Sequence, residues 1–186
     1  NSIGTFQFNL SGLASGTTYY YRAKAVGDGT SYGTEKSLAT ATPPTATTGD
    51  ASGITASLAT LNGNLTSLGT ASSVSVSFQW GTSSGVYGYE TTPEVKNSTG
   101  AFQFNLSNLA SGTTFYYRAK AAGDVTSYGL EKSLTIATPP TVTTSDASSI
   151  TASSATLNGN LTSLGTASSI SVSFQWGTTS GVYGYE

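Results

Sequence analysis

The sequence predicts an all-β protein made of tandem antiparallel β-sandwiches. Three observations carry this. Apolar and polar residues alternate with period two in short runs. No stretch of twelve residues spaces its apolar side chains as a helix does, and Gly, Ser and Thr punctuate the whole chain. Finally, residues 1–90 match residues 97–186 at 75 of 90 positions without a gap, so a unit of 96 residues recurs. That period is the size of one seven-stranded sandwich.

Each predicted strand has a dry face and a wet face. Over Ala59-Thr-Leu-Asn-Gly-Asn-Leu65 the odd positions turn inward. In Val74-Ser-Val-Ser-Phe-Gln-Trp80, Val74, Val76, Phe78 and Trp80 share the dry face, opposite Ser75, Ser77 and Gln79. Phe102-Gln-Phe-Asn-Leu106 alternates rings with Gln103 and Asn105, and Phe6-Gln-Phe-Asn-Leu10 repeats it. In Phe115-Tyr-Tyr-Arg-Ala-Lys-Ala121, positions 115, 117, 119 and 121 are expected inside, with Tyr116, Arg118 and Lys120 outside. Turn residues separate the runs: Gly112, a loop from Gly123-Asp124 to Gly129, and Pro139-Pro140, which closes the unit. One wet and one dry face per strand implies antiparallel sheets stacked over a shared core.

Leu109-Ala-Ser-Gly112-Thr113-Thr-Phe115-Tyr-Tyr-Arg118-Ala-Lys-Ala121 resembles the fibronectin type III signature around strands E and F, and Leu13, Gly16, Thr17, Tyr19, Arg22 and Ala25 match it in the first copy. The resemblance implies a corner in which the tyrosine hydroxyl bonds back to the chain. Tyr19 can make that bond; Phe115 cannot. The family's usual strand-B tryptophan is missing, and Trp80 and Trp176 fall on the presumed strand C. On a fibronectin-like strand order, residues 1–42 hold strands E to G of one repeat, 43–138 a complete repeat, and 139–186 strands A to C′ of the next. The terminal halves are complementary, each with an apolar face and open strand edges, and neighbouring copies are expected to complete them head to tail. The segment Thr91-Thr-Pro-Glu-Val-Lys96 occurs once, so the chain reads as an excerpt from, or a protomer of, a longer array. Pro43-Pro44 and Pro139-Pro140 are expected to make short, stiff joints.

Composition removes much chemistry. There is no Cys, His or Met, so disulfides, thiolate zinc sites, imidazole bases and the Ser-His-Asp triad are excluded. Seven basic and nine acidic residues give a net charge of -2, without the basic footprint of a nucleic-acid binder. No apolar run is long enough to span a membrane, and no membrane contact is expected of this segment. Serines lack a histidine, and the lysines fall on outward faces, so no Ser-Lys dyad and no catalytic residue is assigned. Asp28, Asp50, Asp124 and Asp146 are isolated in sequence, Glu90 and Glu94 read as a solvated loop, and no metal or cofactor is expected. The loop Gly27–Gly33 carries no Arg-Gly-Asp tripeptide. Tyr87, Tyr89 and Tyr32 are candidate rings for stacking on a sugar or for packing at a sandwich edge. Asn9, Asn64, Asn97, Asn105 and Asn160 open Asn-X-Ser/Thr sequons on a chain with 62 serines and threonines.

Together these features point to a non-enzymatic structural protein, an extracellular stalk or filament at a microbial surface whose main partner is itself. The alternative is an adhesion module of a larger secreted or surface protein, binding carbohydrate or protein, with surface glycans as partners.

Overall fold

Residues 3–186 are described in a computed structural model of the chain. Among them there is no helix; the alternating runs are strands. The first copy contributes β1 (Thr18–Tyr21), β2 (Lys24–Val26), β3 (Thr30–Tyr32) and β4 (Lys36–Ala39). Next come β5 (Thr45–Thr48), β6 (Ala59–Ser67), β7 (Val74–Gly81), β8 (Tyr89–Glu90) and β9 (Glu94–Lys96). They are followed by β10 (Gly100–Leu106), β11 (Thr114–Ala122), β12 (Thr126–Tyr128) and β13 (Lys132–Thr135). The chain ends with β14 (Thr141–Ser148) and β15 (Thr156–Ser163). Residues 123–129, read from sequence as one loop, contain β12, which folds back on β11 as a hairpin.

The largest sheet has the order β12-β11-β7-β8, with β13 also on β11 and β9 also on β7. A second sheet has the order β10-β6-β5, and three two-stranded sheets pair β1 with β4, β2 with β3, and β14 with β15.

The described residues form two compact units: 3–50, 61–104 and 116–132 make the first, and 51–60, 105–115 and 133–186 the second. In the first, the two larger sheets face each other as in a sandwich. Phe78 of β7 meets Phe102 of β10 with ring centroids 5.0 Å apart, and Tyr117 of β11 meets Phe78 edge-on at 6.4 Å. Phe102 lies on Gly63, where a Cβ would come within 2.6 Å of its ring, so that position admits only glycine without a shift. The fully buried Tyr117 hydroxyl donates to the Gly49 carbonyl at 2.9 Å, and the Thr48 hydroxyl accepts the Ala119 N–H. In the second unit, Leu109 N–H donates to the Ser57 carbonyl and Ile136 N–H to the Thr113 carbonyl. The alternation expected over 59–65 and 115–121 holds: 59, 61, 63 and 65, and 115, 117, 119 and 121, are all buried. Trp80 departs from it. Its parity is inward, but at the end of β7 it stands half-buried beyond the covered part of the core.

The terminal copies form fewer strands than their sequences predict. Residues 6–10 are not a strand, although their equivalents in β10 are, because β10 exists by pairing with β6. The counterpart of β11 breaks into β1 and β2. The counterpart of β7 keeps only the bridge Trp176–Tyr185. A strand needs a ladder for its backbone groups, and identical sequence does not supply one.

The segments that carry the proline pairs are closely hydrogen-bonded, and each lies inside one compact unit. Ser15 Oγ donates to the Ala41 carbonyl, while the next residue, Thr42, donates its N–H to Thr70 Oγ1 at 3.2 Å and accepts the Thr70 N–H at 3.2 Å. Gly69, at φ +65°, lies so close that a Cβ would be 2.1 Å from the Thr42 carbonyl oxygen. The second joint repeats this with Ser111 to Ala137, Thr138 to Thr166, and Gly165 at φ +61°. Pro44 is buried and Pro43 half-buried, whereas Pro139 and Pro140 are exposed.

Candidate functional site

The outward face of the six-stranded sheet gathers the aromatic and charged side chains. Register places Arg118 of β11 opposite Gln79 of β7, so the two side chains rise together. Arg118 donates through Nε and Nη2 to Gln79 Oε1 at 3.1 and 2.8 Å. Its guanidinium also contacts two rings, with its carbon 4.2 Å from the Tyr87 centroid and 3.8 Å from that of Tyr128, a double cation–π contact. Glu131 closes the arrangement: it accepts from Ser84 Oγ at 2.6 Å, from the Gly85 N–H at 2.8 Å and from the Tyr87 hydroxyl.

Titration follows these bonds. The hydrogen bonds from Ser84, Tyr87 and Gly85 hold the Glu131 carboxyl below the ordinary glutamate value. Burial raises the Tyr87 phenol, and the Glu131 bond and charge add to that. Burial pulls Glu90 upward, but bonds from Lys120, Ser77 and Gln79 outweigh it and the carboxyl is lowered. Glu90 and Glu94 are therefore not a solvated loop. They lie on β8 and β9, where Glu90 pairs with Lys120 at 2.9 Å and Glu94 with Lys96 at 3.0 Å.

Beside this cluster Tyr89 stacks on Trp80, with centroids 4.5 Å apart and planes 22° apart. Tyr89 is exposed on its other side. The same stack recurs at Trp176 and Tyr185, with 4.3 Å and 18°.

Of the three candidate tyrosines, Tyr87 is engaged by Glu131 and Arg118, Tyr89 is open, and Tyr32 lies under Arg22 at 3.9 Å, repeating the Arg118–Tyr128 contact in the first copy. Sequence reading missed Trp80 as a partner of Tyr89. It also missed Arg118, Tyr128 and Glu131. The available signal was the outward row Tyr116, Arg118, Lys120, in which cations alternate with apolar neighbours.

The Tyr19 hydroxyl accepts the Ala14 N–H at 2.8 Å beside half-buried Leu13. Leu109 and Phe115 are buried at the equivalent turn. Asn9, Asn64, Asn97, Asn105 and Asn160 are all exposed, and Asn105 accepts a bond from Thr60. Among the described residues there is no group of three or more acidic side chains able to hold a metal ion, and no helix long and apolar enough to cross a membrane. Asp50 pairs with Lys132 at 2.6 Å, and Asp124 accepts from Thr70.

No family model and no curated protein matches the chain. Among solved structures it is similar to the sensor domain of the anti-sigma factor RsgI4 of Pseudobacteroides cellulosolvens. A short form of that domain is 17% identical over 51% of this chain and 95% of the other, with a TM-score of 0.43. The solution structure is 16% identical over 50% and 74%, at 0.44, and a long form 14% identical over 50% and 88%, at 0.39.

Proposed function

We propose that the chain is a structural protein, a run of fibronectin type III-like repeats that acts as a stalk or spacer outside the cell. The sheet orders β10-β6-β5 and β12-β11-β7-β8 read as strands E-B-A and G-F-C-C′ of that fold, and Tyr19 makes the family's corner bond. The observation that carries the mechanical role is the joint. Residue 41 is bonded to the repeat before it and residue 42 to the repeat after it, and residues 137 and 138 repeat this. No slack residue is left between repeats, so a pull on one passes directly into the strand ladder of the next. Pulling a single chain from its ends tests this. The complete repeat should open in one force peak that releases about 30 nm, the extended length of 96 residues. Smooth lengthening without a peak would exclude a mechanical role.

A second reading is favoured by the stack of Tyr89 on Trp80, open to solvent and repeated at Tyr185 on Trp176: a binding module whose flat rings accept a sugar. Saturable oligosaccharide binding that Tyr89→Ala abolishes, with unfolding unchanged, would favour this reading over the mechanical one.

A further inference from the structure

The stack of Tyr89 on Trp80 is held by more than the contact between its rings. Register sets Tyr89 opposite Trp80 and Glu90 opposite Gln79, so the two rings share one side of the sheet and the carboxylate lies on the other. β8 is only two residues long, yet the Glu90 carboxylate accepts from Ser77 Oγ at 2.8 Å, Gln79 Nε2 at 3.2 Å and Lys120 Nζ at 2.9 Å. One residue on, Thr91 donates its N–H to the Phe78 carbonyl and its hydroxyl accepts the Phe78 N–H, both at 2.9 Å. Tyr89 is thus fixed before any ligand arrives, with one ring face against Trp80 and 60% of the residue exposed.

The second unit builds the same element by itself. Trp176 and Tyr185 exchange both backbone bonds, at 3.1 and 3.2 Å, and Ser173 Oγ donates to Glu186 as Ser77 does to Glu90. The element is therefore encoded in its own hairpin, and each unit carries one.

What such a ring accepts follows from its surroundings. Among the described residues, each cation of this sheet is already engaged: Lys120 by Glu90, Lys96 by Glu94, Lys132 by Asp50, and Arg118 by Gln79 and two tyrosine rings. An acidic ligand therefore meets no unengaged cation there. A single open ring face is a platform, not the cage of rings that holds a cationic ligand. It suits an uncharged ligand with one flat apolar face. A pyranose whose substituents are all equatorial presents such a face, because its axial positions carry only C–H. One ring covers little area, so each contact is weak, and a chain with one platform per unit gains strength on a ligand that repeats too. Resting on the binding reading above, we propose that these platforms take a neutral, β-linked polysaccharide of equatorial hexoses, held at more than one platform at once.

Isothermal titration of the 186-residue chain tests this with soluble mixed-linkage β-glucan, a tetrasaccharide cut from it, and polygalacturonate. The neutral polymer should bind about 100-fold more tightly than the tetrasaccharide. Tyr89→Ala or Tyr185→Ala should each bring the polymer down to the level of the tetrasaccharide, and the double variant should bind neither. Polygalacturonate should not bind. Thermal unfolding of each variant, with the transition of the complete repeat still present, separates a lost platform from a lost fold. Equal affinity for tetrasaccharide and polymer, or polygalacturonate bound as tightly as the neutral polymer, would overturn this inference and leave a sugar-binding module standing. Binding to other members of a glycan array, but to none of the three, would do the same. A folded chain that binds none of the three and nothing on the array would overturn both.

Discussion

Two copies of one turn differ in the ring that follows it, Tyr19 against Phe115, and Phe115→Tyr measures what the hydroxyl contributes. In the first copy the Tyr19 hydroxyl accepts the Ala14 N–H at 2.8 Å. The turn between them is the same in both copies: Leu-Ala-Ser-Gly-Thr-Thr, with φ +64° at Gly16 and +70° at Gly112. Phe115 is buried at the ring while Ala110 is exposed, so an added hydroxyl would emerge at the rim of the core, where water satisfies its own proton. A net intramolecular hydrogen bond contributes about 1 kcal/mol. For a repeat of 96 residues that is a rise in Tm of roughly 4–8 °C. The opposing effect is overpacking, which costs about 1–3 kcal/mol when an atom is forced into a closed core; the open rim argues against it here. Thermal unfolding followed by circular dichroism and tryptophan fluorescence measures the outcome, with Tyr19→Phe as the control that should leave the complete repeat's transition in place. An unchanged or lowered Tm for Phe115→Tyr would mean the two turns are not equivalent, and the corner reading of residues 109–121 would fall.

Gly63→Ala places a methyl group 2.6 to 3.0 Å from three atoms of the Phe102 ring and should destabilise the complete repeat by about 1–3 kcal/mol, read from its urea midpoint; Gly159→Ala, in the half copy, should leave that midpoint unmoved. Tyr117→Phe strands the Gly49 carbonyl and should lower stability by about 1–2 kcal/mol in the same assay. Glu131 and Glu90 both have folded-state pKa values below their unfolded ones, so their contribution is complete above the unfolded value and is lost as pH falls through the folded one. Urea midpoints measured down an acid series should therefore decline, and Glu131→Gln should flatten the decline.

The core was legible because it is local. Period two places 59, 61, 63 and 65 and then 115, 117, 119 and 121 on inner faces with no knowledge of the partner strand, and all are buried. The outer cluster was not legible, because it is made by register. Gln79 and Arg118 lie 39 residues apart and meet only because β7 and β11 pair at that offset. Glu131 stands 44 residues from Tyr87, just before β13, with no periodic signal to mark it. Glu90 and Glu94 misread as loop because β8 and β9 are only two and three residues long, too short for alternation to show. Trp80 shows that parity assigns a side to a strand but cannot say where the opposing sheet stops.

The repeat separates what a segment encodes from what its partner supplies. Gln-Phe-Asn-Leu is strand in β10 and irregular at residues 7–10; Ser-Val-Ser-Phe-Gln is strand in β7 and largely unpaired at 171–175. Hairpins of short reach survive in every copy in which they occur, since β2–β3 matches β11–β12 and β14–β15 matches β5–β6. Among the described residues, the pairings of β10 with β6 and of β7 with β11 have no counterpart in the flanking copies. Local turns thus hold the hairpins, whereas the sheet centres form only when two halves meet. Burial of Phe78, Phe102 and Tyr117 stabilises that meeting, at roughly 1.5–3 kcal/mol for each large apolar side chain. Sequence that makes its own hairpins therefore still depends on a partner strand, distant in the chain, for the centre of its sheet.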